Sequence, residues 1–489
     1  MYINKAIDEY KLLPVQIRAS FWFLICSFLQ RGISMIMTPI FTRIMTPRDY
    51  GQYGVFNSWY SIISIIVALS LTGGVHTQGL IKYDKDRNIF SSSLQGLTIV
   101  MACGWLVIYL MFYKFWNTLF SLSTFQMLLM FVIIWTTSVF GFWANNQRVI
   151  YSYQILVTVT IITSIAKPAL EIIFVKCLEN KATARILGWV IVDFIAYGWM
   201  FIFQMKKGRV FYSKKFWTYA LTFNLPLVPH YLSQTVLNSA DRIMIQKMIG
   251  DSEAGIYSLA YSLALIMTLF NTAFMQTISP WIYQKIKYHK EKEISSIIYI
   301  SMSFIAFVNL TLILFAPEAV AFFAPKSYYD AIMVIPPVAM SVFFMYCYDV
   351  FAKFAFYYEK TNFIMIASAT GAFLNIILNY IFINLFGYIA AGYTTLACFI
   401  IYSISHYYFM NKVCDQFCEG VRPYDIKKIL QIAIPFIVCG FVLLMTYNYP
   451  YVRYGIVIVV VILVIVFRKW LYLPFHSVLA LRKSRIKHE

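Results

Sequence analysis

Charge is scarce in this sequence: Asp, Glu, Lys and Arg make up only 12% of 489 residues, and the acidic ones number 21. Hydrophobic residues reach 61%, and the mean hydropathy of +0.69 lies far outside soluble globular usage. No long stretch is polar enough to fold as a domain in water. Catalytic signatures are also missing. There is no GxxxxGK(S/T) loop to cradle phosphates, no HExxH helix to hold zinc and no GxSxG elbow, so nucleotide-driven work or hydrolysis would need another subunit. The eight cysteines are scattered, mostly in apolar runs where a free thiol behaves as a small hydrophobe, and they form no disulfide framework. Cys414 and Cys418 lie in an expected cytoplasmic loop with no His pair beside them, which falls short of a metal-ligand set. No metal and no cofactor are expected.

What charge there is has a strong sign: the formal net charge is +19. Position matters more than sign. Lys and Arg gather in short tracts between apolar segments, at Lys82–Arg87, Lys206–Lys215, Lys285–Lys292, Lys412–Lys428 and from Arg468 to Lys487. These are alternate loops. If the first helix runs outward from the cytoplasm, roughly 27 of the 40 basic residues fall on the cytoplasmic side and roughly 9 outside. Both termini are therefore expected in the cytoplasm, and nucleic acid is an unsuitable partner. The first apolar segment is too long for a signal peptide and carries Gln30 and Arg31 at its middle, so it reads as a retained helix.

A helix needs about 20 mostly apolar residues to cross the hydrocarbon. Segments of that kind centre near Arg31, Ile65, Gly104, Ile134, Ile165, Phe194, Ser233, Leu265, Ala306, Val342, Leu374, Cys398, Val438 and Val460. The fold class expected is thus an all-α membrane protein of about fourteen transmembrane helices, an even number that agrees with both termini on one side. Trp22, Trp116, Trp143, Trp217, Trp281 and Trp470 sit near expected helix ends, where an indole prefers to lie. The longest polar connections, about 206–216, 284–295 and 411–428, are basic and suited to anionic lipid headgroups.

An internal repeat appears when Thr42–Tyr53 (TRIMTPRDYGQY) is laid on Gln246–Tyr257 (QKMIGDSEAGIY), an offset of about 204 residues. The displacement spans six helices and preserves orientation, so it predicts parallel halves related by an axis along the membrane normal. The domains expected are an N-terminal six-helix lobe at 1–210, a C-terminal six-helix lobe at 211–412, and two further helices with a basic cytoplasmic tail at 413–489. Helices 1 and 7 should face each other across a cavity. Pro39, Pro168, Pro226, Pro229, Pro280, Pro336 and Pro337 interrupt helices, with Pro226 and Pro229 placed as a hinge.

The stretch from Arg31 through Thr38-Pro39-Ile40-Phe41-Thr42-Arg43 to Tyr50-Gly51-Gln52-Tyr53-Gly54 resembles the first-helix and first-loop signature of bacterial polysaccharide and O-antigen flippases. The stretch Ala240-Asp241-Arg242-Ile243-Met244-Ile245, with Ala254-Gly255-Ile256-Tyr257-Ser258, is similar to their second-half signature. These flippases belong to the multidrug, oligosaccharidyl-lipid and polysaccharide exporter superfamily. The resemblance implies two six-helix lobes around a central cavity, no enzymatic activity, and a bacterial inner-membrane location. It also implies movement of an undecaprenyl-diphosphate-linked oligosaccharide from the cytoplasmic to the periplasmic leaflet. Its partners would be that lipid-linked oligosaccharide, membrane lipids and other polysaccharide assembly proteins.

Charges near mid-bilayer are the candidate functional residues, since each central Arg or Lys costs about 2.5–3.5 kcal/mol on the insertion scale. The substrate-binding candidates are Arg31, Lys167, Arg242 and Lys353; the ion-coupling candidates are Asp193, Glu171 and Asp349. Lys167 has Glu171 four residues on, and Lys353 has Asp349 four residues back, a spacing that shares a helix face and also allows a self-neutralising pair. Arg31 has no acidic residue in its own helix, and a diphosphate head group would supply the missing partner through bidentate hydrogen bonds. Arg242 adjoins Asp241 and could pair there. Asp193 could carry a coupling proton or pair with a basic residue. His230 and His406 stand alone and read as bundle histidines. A drug antiporter of the same superfamily remains as an alternative, although a cation exporter would call for acidic cavity residues; a membrane glycan polymerase would need a catalytic outer loop.

Overall fold

The computed structural model describes residues 14–466. Trp470 and the basic tail from Arg468 to Lys487 lie outside the described residues. Within them the chain is helical almost throughout, without strands. Each of the fourteen expected span centres falls inside a helix, from Val15–Ile44 to Pro450–Val466. Among the described residues, ten helical segments are long and apolar enough to cross a membrane. The other four that hold expected centres, Pro47–Ala68, Val228–Met248, Ala390–Phe417 and Pro450–Val466, carry more polar residues or fewer turns. The protein is a multi-pass helical membrane protein.

Short links are closed by side-chain caps that satisfy backbone groups at helix ends, which lipid cannot do. Thr46 and Asp49 form a capping box behind Pro47, with the Asp49 amide donating to Thr46 Oγ1 at 3.2 Å and the Thr46 amide to Asp49 Oδ2 at 3.1 Å. Ser123 and Gln126 repeat the device at the start of Thr124–Val149. The link Met45–Thr46 joins Val15–Ile44 to Pro47–Ala68, and the link Ile249–Gly250 joins Val228–Met248 to Asp251–Leu265. Both helix boundaries therefore recur at the 204-residue offset read from the sequence.

The prolines divide by position. Pro39, Pro168 and Pro280 lie inside helices. Pro336 and Pro337 instead occupy the first turn of Ile335–Tyr357, where a missing N–H costs nothing. Pro226 sits in the one-turn segment Leu225–Leu227 that separates Lys214–Asn224 from Val228–Met248, and Pro229 begins the second piece. Cys414 lies within Ala390–Phe417 and Cys418 caps it, so the expected 411–428 connection is mostly helix.

The chain divides into two compact units, Met1–Gln246 and Lys247–Glu489, a boundary later than the sequence expectation because Val228–Met248 groups with what precedes it. In the first unit the most enclosed span is Thr124–Val149, with 67% of its apolar window buried; in the second it is Ile335–Tyr357, at 83%. The fourth and tenth of the fourteen spans thus play the same part, each in its own unit. Many outward side chains are large and apolar, such as Phe373, Tyr380, Leu385 and Phe386, as lipid contact requires.

Candidate functional site

Tyr153–Cys177 and Lys181–Gly208 form an antiparallel hairpin closed by Leu178–Asn180. Asn180 caps the second helix, its Oδ1 accepting from the Thr183 amide at 2.9 Å, while Lys181 Nζ donates to the last carbonyls of the first, Val175 at 2.7 Å and Leu178 at 3.0 Å. The two helices approach closely at Gly188: a Cβ there would lie 2.7 Å from the backbone of Glu171. That closeness lets short-range ion pairs span the hairpin.

Two such pairs cross it. Lys167 Nζ lies 2.6 Å from Asp193 Oδ1, and Asp193 Oδ2 accepts from Trp189 Nε1 at 2.7 Å. Asp193 is fully buried, whereas a quarter of the Lys167 side chain remains exposed. Toward the closed end, Arg185 Nε donates to Glu171 Oε2 at 3.1 Å. The Arg185 guanidinium is held over Phe41 at 3.7 Å and Tyr53 at 3.8 Å, so aromatic faces replace water around its charge. Lys167 sits between Trp189 and Tyr197 at 5.8 and 5.6 Å, and Tyr197 Oη donates to Thr163 Oγ1 at 3.2 Å. The outcome is two opposite pairs stacked along one hairpin, each with its carboxylate buried and each formally neutral.

These pairings correct the i,i+4 reading of Lys167 with Glu171. Each goes to the facing helix instead, and Asp193 does have a basic partner. Lys353 and Asp349 in the second unit keep their expected pairing at 2.6 Å. Arg242 donates from Nη2 to the Asn238 carbonyl at 2.6 Å, and the adjacent Asp241 is buried. Arg31 differs from all of these. It lies midway along Val15–Ile44, is exposed, and makes no hydrogen bond or ion pair with any described residue.

Arg185 and His76 escaped the sequence reading. Arg185 is only five residues into its helix and reads as interfacial, yet the hairpin sets its guanidinium beside Glu171. His76 is fully buried, with Nε2 3.0 Å from Ser91 Oγ, which also accepts from Asn146 Nδ2 at 2.9 Å. His406 is buried against Tyr402 and Tyr348, while His230 stands half-buried in the broken seventh span.

Comparison with known proteins adds to this geometry. A family model described as polysaccharide biosynthesis protein matches residues 17–286, and the MatE model matches residues 226–381. A protein of the Lsg locus of Haemophilus influenzae is 21% identical over 281 residues, 55% of this chain and 66% of that protein. An uncharacterized membrane protein of the same organism is 20% identical over 284 residues, with the same coverage. The chain thus spans 66% of the length of the curated relatives it matches. Among solved structures, the lipid II flippase MurJ in an inward closed conformation is similar, with a TM-score of 0.67 at 14% identity over 91% of this chain and 99% of that one. An inward-facing multidrug resistance MATE family transporter gives a TM-score of 0.61 at 10% identity, over 80% of this chain and 96% of that one. At such identities the shared property is the fold.

Proposed function

Because the chain belongs to the polysaccharide biosynthesis protein family, we propose that it is a transporter that moves undecaprenyl-diphosphate-linked oligosaccharide repeat units from the cytoplasmic to the periplasmic leaflet by alternating access. The product would feed O-antigen or another surface polysaccharide, and the site would be the bacterial inner membrane.

The observation that carries this reading is Arg31. Lys167, Arg185 and Lys353 are each neutralised by a carboxylate, yet Arg31 keeps an exposed guanidinium midway along an apolar helix. A central charge costing about 2.5–3.5 kcal/mol is retained for an anionic partner, and a diphosphate accepts its planar fork. Lys167 would then tie its helix to the facing one, while Arg242 and Lys353 bond along their own helices, all three touching substrate only when released. The carboxylates Asp193, Glu171 and Asp349 lie against cations and could couple ions only by the same release. The antiporter reading draws support from the MatE match at 226–381, but a cation exporter would call for an unpaired acid where Arg31 stands.

The test is Arg31→Ala. Losing a charge-assisted contact of about 1.5–3 kcal/mol should lower export of finished glycan by about 10–100-fold at normal protein level. Arg31→Lys should recover part of it, because an ammonium keeps the charge without the fork. Surface glycan measured beside membrane protein level decides. Wild-type export by Arg31→Ala would end the proposal that this residue holds the substrate.

A further inference from the structure

A second polar feature of the first unit lies away from Arg31 and from the hairpin pairs. Where Asp84–Asp86 leads into Arg87–Met111, beside the last turns of Thr124–Val149 and Lys181–Gly208, a cavity of about 290 Å³ opens. Three cations line it, Lys85, Arg87 and Lys207, against one carboxylate, Asp84. Its polar wall is already organised. Gln204 is only 6% exposed, with Nε2 donating to the Val139 and Met200 carbonyls at 3.3 Å, and Asn146 is fixed by the Ser91 hydroxyl. The helices meet at Gly208, where a Cβ would lie 2.1 Å from Ser92 Oγ and 2.3 Å from the Asn88 carbonyl. Only glycine brings Lys207 so close to Arg87–Met111.

We propose that this cavity binds the phosphate headgroup of an anionic glycerophospholipid at the surface of the membrane. Net positive lining selects an anion, and basic pockets between spanning helices are suited to lipid headgroups. The volume suits a phosphate with a small polyol and is too small for an oligosaccharide repeat unit. Exposed Phe203 and Ile150 at the rim give the acyl chains an apolar continuation, which a free anion would not need. The basic tract that contains Lys85 lies at the same end of the helices, on the side where anionic lipid attracts Lys and Arg.

The experiment uses the purified full chain in neutral detergent, with thermal unfolding followed on adding phosphatidylglycerol, phosphatidylcholine or inorganic phosphate. Phosphatidylglycerol should raise the apparent Tm by about 2–4 °C, and the other two should not. Lys85→Gln with Lys207→Gln should erase the rise. Lys82→Gln with Lys206→Gln, which removes the same charge from neighbours outside the cavity, should keep it. All four lysines are exposed, so folding is spared, and Arg87 is left intact because its Nε donates to the Leu80 carbonyl. Equal loss in both double variants would reduce the effect to diffuse surface attraction and overturn the site. An equal rise with inorganic phosphate would overturn the lipid as occupant, and no rise with phosphatidylglycerol would overturn the proposal outright.

Discussion

Asp193 is wholly enclosed and Lys167 only partly so, which makes their pair asymmetric. Removing Lys167 strands a fully enclosed carboxylate, whereas removing Asp193 leaves an ammonium that is already a quarter exposed. Lys167→Ala should therefore destabilise the protein by about 3–5 kcal/mol, Asp193→Asn by distinctly less, and the double variant should return toward wild type. Denaturant unfolding of the four proteins checks the order; equal losses that simply add would mean that the pair is not coupled. The same residues show what a sequence can hide. Spacing along one helix suggested Lys167 with Glu171, and it succeeded for Lys353 with Asp349, where the same helix supplies both partners. At Lys167 it failed because the close helix approach at Gly188 brings Asp193 of the facing helix to 2.6 Å from its ammonium.

Continuity of the helices is a property of elements, and two spans in the first unit lack it. Pro47–Ala68 stops at Leu69 and Ser70, both with φ of 50°, and the helix resumes at Gly74. The left-handed backbone of these two non-glycine residues is strained and must be held from outside. Asn145 Nδ2 donates to the Thr72 carbonyl at 2.7 Å, and Asn224 Nδ2 donates to the Leu69 carbonyl. Asn224 ends the piece just before Pro226, so one side chain ties both breaks together. Asn224→Leu should leave the Leu69 carbonyl buried without a donor, cost about 1–3 kcal/mol, and speed hydrogen exchange at 69–73 and 225–228 together. Faster exchange at only one break would show that they move independently. The seventh-span break was legible, because two prolines announce it. The second-span break was not, since only Gly73 and Gly74 mark a turn whose shape depends on asparagines 73 and 155 residues away.

Orientation belongs to the whole molecule, and it follows from charge and count together. The fourteen centres all became helices, which was legible because lipid demands a helix wherever an apolar run is long enough. The basic tracts fall in alternate connections, and the bias of Lys and Arg toward the cytoplasmic face would set the sense of every span at once. Two independent stretches test the same assignment. Positions 214 and 290 should be cytoplasmic, whereas Arg48 and Lys326 should be periplasmic, since an odd number of spans separates each from the basic side. Single cysteines at these positions, with the exposed native Cys103, Cys177 and Cys439 first replaced, can be offered an impermeant thiol reagent in intact cells. Positions 48 and 326 should label, and 214 and 290 should label only after the membrane is opened. Labelling of 290 in intact cells would reverse the second half alone and refute a six-helix displacement that keeps orientation. Labelling of 214 and 290 together, with 48 and 326 protected, would invert the whole chain and place the basic tracts outside.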